Sequence, residues 1–315
     1  MTPEQVNFIN DIAVELKSQP GFNDREQLFF PLRFDKNRPV ATQHKEIAEK
    51  LMPKYPSLCD VNYANSIGTT VQNVVSAMVG RLQTEHKKEI AGLYEAEMRA
   101  DGVDIDSLLK REPGERGSWE VAYHWLWNHK YVRWLDENGW EILQQKAKSP
   151  DNWIKFLTKE EEAMLGANRG AYLELPPPKI TLTIPAKQRL LMAIYLEYPN
   201  YQLLLFNRSE QGTVLHCPSF GYALNPIMDK PPLVLPQQDS WANKTEQKFI
   251  FQQTGKEEFL AIVLEKHLIL DWLTPQRQDA LPKCNAERIK ELFDQLGQQG
   301  NWHVFYQSFE VVETA

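Results

Sequence analysis

The chain has few cysteines and no long apolar run, and each absence excludes a broad class of protein. Its 315 residues include only Cys59, Cys217 and Cys284, which lie far apart. An odd number without paired spacing argues against a disulfide framework and against a zinc site, so we expect a reducing compartment, most simply the cytoplasm. No apolar run approaches the roughly 20 residues of a membrane-spanning helix. The N-terminus has no basic segment followed by an apolar one, so the sequence predicts no export signal.

A basic domain is also missing. The net charge is −7, and residues 1–177 carry 22 Lys and Arg against 27 Asp and Glu, whereas residues 178–315 carry 13 against 15. Neutralising phosphates supplies most of the affinity of a dedicated nucleic-acid binder, and such proteins usually have a basic domain. Any contact with DNA therefore has to depend on a local patch.

What is present is the composition of an ordinary globular protein, long enough for two domains. The pattern changes near Leu175–Pro178. Before it, apolar residues recur mainly at helical spacing; after it, they alternate or form short blocks bounded by Pro and Gly. Three consecutive prolines cannot continue a helix and favour an extended segment. The sequence therefore predicts an α-helical domain over 1–174, a Pro-rich linker at 175–178 and a β domain over 179–315.

In the first half, apolar spacing predicts helices over Pro3–Lys17 and Thr42–Leu51. It also predicts a long helix that is capped by Thr69 or Thr70 and continues past Arg81.

A hairpin is predicted after the next helix. Ser118 is expected to cap an aromatic helix that begins at Trp119. Asn138-Gly139 is then flanked by alternating apolar residues, which is typical of a type I′ β-hairpin. We place this hairpin within 131–144. A helix followed by such a hairpin makes residues 118–144 resemble the closing part of a winged-helix domain.

The second half is predicted to be mainly β-strand. Alternating or short apolar blocks lie near 179–184, 190–197, 201–207, 213–217, 232–235, 247–252, 258–265 and 302–312, with one helix over Asn285–Leu296. This number of short strands suits an antiparallel β-sandwich or partly open barrel with one closing helix. The predicted fold class for the whole chain is α+β.

The order of motifs in this half resembles a known family. The motifs are Tyr201–Asn207, the turn at Gly212, Cys217-Pro218, Leu233–Pro236, Thr254–Glu258 before Phe259–Val263, and Asp271–Leu273. They are similar to a bacterial domain of unknown function that is often appended to caspase-like peptidases and Ser/Thr kinases, including in cyanobacteria. The resemblance implies an accessory domain without catalytic residues. This chain has neither a caspase-type His/Cys pair nor kinase motifs.

Residues that could bind metal or act in catalysis each have a simpler interpretation. His86 and Glu89 lie in a charged run that is typical of a solvated helix face, and His124 and His129 are expected to cover an aromatic core. Cys217 ends a predicted strand, where a buried, inert thiol is expected. Isolated turn glycines form no phosphate-binding loop. The sequence thus predicts no enzyme, and no catalytic, cofactor or metal site.

One helix pair suggests contact with nucleic acid. Thr42–Leu51 and Ile67–Ser76 resemble the helices of a helix-turn-helix, although Pro53–Ser66 is longer than the usual turn of about three or four residues. The alternative is a purely structural helix pair. The candidate nucleic-acid contacts, polar and basic residues that can reach base edges or phosphates, are Gln43, Lys45, Thr69, Thr70, Gln72, Asn73, Arg81 and Arg133.

Tryptophans are concentrated between residues 119 and 153. Core packing explains most of them. Successive side chains of a helix turn by about 100°, so Tyr123, Trp125 and Trp127 cannot all be buried on one face. Some of these rings should therefore meet a second surface, either the C-terminal domain or a partner. The candidate interface residues are Trp125, Trp127, Trp134 and Trp140.

These observations favour a non-enzymatic cytoplasmic protein without a cofactor. The resemblance implies an adaptor, sensor or effector-associated subunit of a bacterial signalling or defence system, with a protein partner and no membrane partner. Two alternatives are a DNA-binding regulator that uses the helix-turn-helix-like element and an accessory subunit of a peptidase or nuclease complex.

Overall fold

The computed structural model describes residues 1–38, 42–83, 88–109, 118–148, 152–158, 161 and 182–313, with backbone alone at 82–83 and 88–89. It divides into two compact units, Met1–Leu135 and Asp136–Ala315, which we call unit 1 and unit 2. Unit 1 is mainly helical and unit 2 contains two larger sheets, so the predicted α+β class is confirmed.

Unit 1 starts with four helices. They are α1 (Pro3–Leu16), α2 (Asp24–Arg33), α3 (His44–Leu51) and α4 (Tyr63–Val79). Capping boxes start the first two: Thr2 and Gln5 bond to each other's backbone N–H, as do Asn23 and Glu26. The helices predicted over 3–17 and 42–51 are confirmed, whereas α2 was not predicted.

The start and end of α4 differ from the prediction. Thr69 and Thr70 do not cap the helix but lie inside it. It ends at Gly80, whose φ of 104° is open to glycine but costly for other residues. The chain then forms an antiparallel hairpin of β1 (Gly80–Gln83) and β2 (Lys88–Ala91), which we call the β1–β2 hairpin. The prediction that the helix continues past Arg81 is therefore wrong.

The predicted hairpin at 131–144 is helical instead. The elements after β2 are α5 (Glu95–Ala100), α6 (Ile105–Leu109), α7 (Ser118–Trp125), a π-helical turn (Leu126–Lys130) and α8 (Tyr131–Lys146). Asn138 and Gly139 lie inside α8, in its part that belongs to unit 2. A Cβ at Gly139 would lie 3.1 Å from side-chain carbons of both Ile289 and Phe293. The glycine thus permits close helix packing rather than a turn, and residues 118–144 contain no wing.

Two sheets form unit 2. The strands are β3 (Ile154–Leu157), β4 (Thr183–Pro185), β5 (Leu191–Ile194), β6 (Gln202–Ser209), β7 (Gly212–Cys217), β8 (Leu233–Leu235), β9 (Gly255–Leu264) and β10 (Trp302–Val312). The larger sheet has the order β4-β10-β9-β6-β7 and the smaller one β3-β5-β8. Pairing is antiparallel except between β10 and β4, which corrects the expectation of a wholly antiparallel arrangement.

The two sheets share one core. Buried Leu205, Phe259 and Phe305 of the larger sheet belong to the same apolar cluster as Ile154 and Met192 of the smaller one. Short apolar runs that are buried along most of their length, as in β5, β6 and the second part of β9, explain why the sequence indicated most of these strands. Neither sheet closes into a barrel within the described residues.

Unit 2 begins with the second part of α8, and its other described helices follow β8. They are α9 (Trp241–Lys244), a 3₁₀ turn (Asp271–Leu273) and α10 (Ala286–Leu296). Asn285 caps α10 by accepting the Arg288 backbone N–H at 2.9 Å, so the predicted helix is confirmed. The predicted strand at 247–252 is wrong, because Phe249 forms only an isolated bridge with Leu190.

The predicted linker at 175–178 lies outside the described residues. The predicted domains 1–174 and 179–315 remain predictions, but unit 2 already includes β3 at 154–157 and the second part of α8. No helix in the described part of the chain is both long and apolar enough to cross a bilayer.

Candidate functional site

The exposed face of α4 is polar and uncharged. Asn65, Thr69 and Gln72 are exposed and Ser76 is half-buried, and their spacing places them along one side of the helix. The whole of α4 contains no charged residue. We call these four residues the α4 polar face. Amide and hydroxyl groups in this arrangement offer hydrogen-bond donors and acceptors without a fixed charge.

Two of the predicted contacts on α4 point inward. Thr70 is fully buried. Asn73 donates through Nδ2 to Oε1 of Glu26 at 3.0 Å, and Glu26, itself fully buried, also accepts the Asn23 backbone N–H at 3.3 Å. The Glu26 carboxylate therefore caps the start of α2 and, through its hydrogen bond from Asn73, joins α2 to α4. Asn73 positions the helix, whereas Thr69 and Gln72 remain available at its surface.

Gln43 and Lys45 are exposed at the start of α3. Gln43 is the cap residue of this helix, but its side chain makes no capping hydrogen bond. The first backbone N–H groups of α3 therefore have no side-chain acceptor from the cap.

The buried Arg33 side chain holds the start of α3 against the rest of unit 1. The Arg33 guanidinium lies 3.3 Å from the ring centroid of Trp119 and donates to the Thr42 carbonyl at 2.7 Å. His44, the first residue of α3, packs edge-on against Trp119. Burial, followed by the charge of Arg33, lowers the pKa of His44 to about 4. His44 is thus a neutral packing residue at neutral pH.

Arg81 lies in the β1–β2 hairpin and is exposed. The hairpin directly follows α4, and a Cβ at Gly80 would be only 2.7 Å from the Ile90 carbonyl oxygen. This close backbone approach explains why the hairpin starts at a glycine. Helix α3, helix α4 and the hairpin thus follow one another in the chain, and α3 packs against α4.

Arg133 is engaged inside unit 1. Its guanidinium donates to both carboxylate oxygens of Asp101, at 3.0 and 2.8 Å, and to Glu97 at 3.3 Å. The hydrogen bonds from Arg133 are the main reason why the pKa of Asp101 is lowered. A residue with two carboxylate partners is poorly placed to neutralise a phosphate, so the structure does not group Arg133 with the other predicted contacts.

Three of the four candidate interface tryptophans belong to the core of unit 1. Trp125, Trp127 and Trp134 are at most 8% exposed. Their indole N–H groups donate to an Asp101 carboxylate, the Phe34 carbonyl and an Asp11 carboxylate, respectively. The rings point to different neighbours because the π-helical turn separates α7 from α8 and other helices pack on more than one side. They need no second surface. Trp140 differs, since it is half-buried and lies in unit 2.

A second surface of unit 1 is an apolar groove of about 600 Å³ between α1, α2 and the end of α3. Its lining includes Val14, which is 62% exposed, and Tyr55, which is 40% exposed. Among the described residues of its lining, Lys50 and Lys54 alone are charged, and neither forms an ion pair with a described residue. We call this the α1–α3 groove.

The candidate catalytic groups do not assemble. Cys217 is fully buried and burial raises the pKa of its thiol. Its neighbour His216 is buried among aromatic rings. His124 and His129 are exposed rather than covering a core, and His86 lies outside the described residues. Within the described ranges, no three His, Cys, Asp or Glu side chains are grouped so that they could hold a metal ion.

Sequence reasoning missed α2 and the β1–β2 hairpin. The signal for α2 was available, because Asn23 followed by Glu26 is a capping-box pattern. The glycines at 80 and 92 bound the hairpin, although its strands are too short for a clear alternation. Comparison with family models and with curated proteins finds no match to this chain. A functional site is therefore inferred from the geometry of the residues described above.

Proposed function

We propose that the protein is a non-enzymatic regulator whose unit 1 contacts duplex DNA through α4 and the β1–β2 hairpin. The observation that carries this proposal is the α4 polar face: an exposed helix surface of amide and hydroxyl groups without a single charge. A solvent-facing helix normally carries charged residues, so a neutral polar face calls for another explanation.

The order of elements supports this proposal. A helix pair followed at once by a hairpin resembles a winged-helix domain, in which the second helix enters the major groove. An α-helix fits the width of that groove, and Asn, Gln, Ser and Thr are side chains that hydrogen-bond to base edges there. The connection from α3 to α4, residues 52–62, is longer than the turn of a simple helix-turn-helix. The same difference was apparent from the sequence.

Electrostatics limits the expected affinity. Lys45 and Arg81 are exposed basic residues on α3 and β1, whereas Arg133 is paired with carboxylates. Two or three phosphate contacts correspond to a slope of about −2 to −3 in a plot of log affinity against log salt concentration. We therefore expect weak binding that is measurable at low salt, and not the steep salt dependence of a strongly basic domain.

Fluorescence anisotropy with a labelled 30-base-pair duplex of mixed sequence would test the proposal. At about 50 mM salt we expect the full chain to bind the duplex, and Gln72→Glu and Arg81→Glu to weaken binding roughly tenfold each, because each places a carboxylate where phosphate or a base edge would lie.

The matched control is Asn7→Asp. Like Gln72→Glu, it changes the charge of unit 1 by one unit, at an exposed position of α1, and we expect it to change the affinity less than about twofold. Equal losses of affinity in Asn7→Asp and Gln72→Glu would show that net charge alone causes the effect. If the wild-type chain did not bind the duplex, the proposal would be wrong.

The adaptor role is the second candidate, and the α1–α3 groove favours it. Exposed apolar patches commonly mark protein–protein contacts. Two lysines that form no ion pair with a described residue, at an apolar groove, suit an acidic amphipathic helix of a partner. The resemblance of the C-terminal half to an accessory domain implies the same role, in a bacterial signalling or defence system.

A photo-crosslinking amino acid at Val14 would test this second candidate in cells that contain the native gene. The control position is Val6, which is also exposed on α1 but does not line the groove. We expect a crosslink to an acidic helical segment from position 14 only, and its loss in Lys50→Glu/Lys54→Glu. A crosslink that survives the lysine changes would contradict the proposed chemistry of the partner.

A further inference from the structure

Unit 2 contains a cavity of about 360 Å³ beside the contact of α8 with α10. Gly139 brings the two helices together, and the cavity opens next to this contact toward β6 and β7. Phe206, Leu260 and Phe293 form part of its apolar lining. The volume lies in the range of small-molecule sites, roughly 300–1,000 Å³.

Two tryptophans line the cavity, and each already has a cation near its ring. The Arg208 guanidinium lies 5.3 Å from the ring centroid of Trp140, and the Arg288 guanidinium lies 5.7 Å from that of Trp272. Electron-rich indole faces attract cations, most strongly where water is excluded. The lining therefore combines apolar surface with rings that suit a positively charged group.

The two arginines are already neutralised. Arg208 donates to Glu141 Oε1 at 2.8 Å, and Arg288 donates to Asp279 at 2.7 Å. The second oxygen of Glu141 is buried without a hydrogen-bond partner among the described residues. Such an acceptor is costly to leave unused, and a donor that enters beside Arg208 after a small shift of that side chain would satisfy it.

The remaining charges of the lining are negative. Asp136, Glu137 and Glu210 also line the cavity, are exposed, and form no ion pair with any described residue. An anionic ligand would therefore meet three uncompensated carboxylates, and a neutral one would gain nothing from them. A cation with an apolar body would match both the rings and the rim.

We propose that this cavity binds an organic cation, an ammonium or guanidinium group on an apolar or aromatic body. The apolar body occupies the space between Trp140, Trp272 and Phe206, and the charged group faces Asp136, Glu137 and Glu210. The same chemistry is offered by a free amine and by a lysine or arginine side chain of a polypeptide.

Three indole compounds that share a two-carbon side chain and differ in its end group would test the proposal on the full chain: tryptamine (ammonium, a cation), tryptophol (hydroxyl, neutral) and indole-3-propionate (carboxylate, an anion). By ligand-observed NMR and calorimetry we expect tryptamine to bind about tenfold more tightly than tryptophol, with indole-3-propionate weakest. Equal affinities, or no binding of tryptamine at millimolar concentration, would overturn the proposal.

Substitutions in the lining of the cavity would show whether tryptamine binds there. In Asp136→Asn/Glu137→Gln/Glu210→Gln we expect the preference for tryptamine over tryptophol to fall to about twofold or less. Asp239→Asn, which removes an exposed carboxylate of unit 2 outside the cavity, should leave the preference intact. Thr213→Trp is designed to fill the cavity and should remove binding of both compounds. A preference that survives the triple substitution contradicts the proposal, whatever the folding of Thr213→Trp.

Two capped peptides distinguish the sources of the cation. Acetyl-Gly-Lys-Gly-amide and its norleucine counterpart differ only in the ammonium group. Tighter binding of the lysine peptide than of tryptamine would identify a polypeptide side chain as the ligand, and the reverse order would identify a free amine. Failure of both lysine peptide and tryptamine would overturn the inference.

Discussion

His216 is a buried titratable residue whose surroundings oppose its charge. Its ring contacts Tyr222 and Phe249 at centroid distances of 5.0 and 5.1 Å, and burial lowers its pKa to about 4. An unfolded histidine has a pKa of about 6.5. Between these values the unfolded chain binds a proton that the folded chain does not, so the stability of unit 2 falls as the pH drops from 6.5 toward 4.

We predict that His216→Phe makes unit 2 less sensitive to acid. The wild-type chain should lose roughly 2–3 kcal/mol of unfolding free energy through this group between pH 6.5 and 4.5, a loss that phenylalanine cannot have. Urea unfolding at the two pH values measures the difference. Parallel pH dependences in wild type and variant would show that another group is responsible.

Arg133 gives a second prediction at this scale. Because its hydrogen bonds lower the pKa of Asp101 below its ordinary value, the pair stabilises the folded state above that value and its contribution is lost as the pH falls through the lowered pKa. Arg133→Gln should therefore cost roughly 1 kcal/mol at pH 7, a modest figure since Arg133 is 40% exposed, and less at pH 3.

The control for Arg133 is Lys17→Gln, which breaks an ion pair with Asp24 in which both side chains are more exposed, and it should cost less. Duplex affinity should stay unchanged in Arg133→Gln, because its guanidinium is already paired. A loss of duplex binding equal to that of Arg81→Glu would mean that Arg133 is a phosphate contact after all.

At the scale of elements, Gly80 decides where α4 stops. Its φ of 104° and the 2.7 Å distance from a Cβ to the Ile90 carbonyl oxygen both disfavour a side chain. Gly102 has a similar φ of 82°, but nothing lies within 4 Å of its Cβ position. A substitution at Gly102 therefore measures the cost of backbone conformation alone. A substitution at Gly80 adds the cost of steric overlap with strand β2.

We predict that Gly102→Ala costs about 1 kcal/mol through backbone strain alone. Gly80→Ala should cost this amount and roughly 1–3 kcal/mol more, because strand β2 has to move. Thermal unfolding of both variants checks the order. Equal losses would indicate that the β1–β2 hairpin shifts freely to accept the methyl group.

At the scale of the whole molecule, unit 2 extends further toward the N-terminus than the predicted boundary at 179. Trp153 is 1% exposed in its core, and the Ile154 backbone N–H donates to Gln307 Oε1 at 3.1 Å. Strand β3 pairs with β5 along its whole length. A fragment that starts at 179 would lack this strand and its buried tryptophan.

We predict that residues 136–315 unfold cooperatively when expressed alone, whereas residues 179–315 do not. Removing β3 exposes one edge of β5 and leaves a cavity where Trp153 packs, a loss of the order of 3–5 kcal/mol for the ring alone. Circular dichroism and thermal melts of both fragments provide the measurement. Cooperative melting of 179–315 at the same temperature would place the boundary where the sequence predicts it.

The sequence by itself determined the elements whose signals are local. Helices α1, α3 and α10 follow from apolar spacing, and strands β6, β7, β9 and β10 follow from apolar blocks bounded by turns, because each pattern is read within one element. The exposed residues Gln43, Lys45, Thr69 and Gln72 could be named because they lie in or next to the predicted helices. Arg81 was expected on a continuing helix and lies in β1 instead.

Tertiary structure decided the rest. Asn138-Gly139 carries a strong turn signal, yet it lies in α8, where the missing Cβ of Gly139 lets α10 approach and the buried contact outweighs local preference. Trp125 and Trp127 could not be assigned to a core from one helical face, because the helices that cover them come from distant parts of the chain. The cavity beside Trp140 is likewise formed by segments that lie far apart in the chain, from α8, β6, β7, β9 and α10, and such long-range packing leaves no trace in local periodicity.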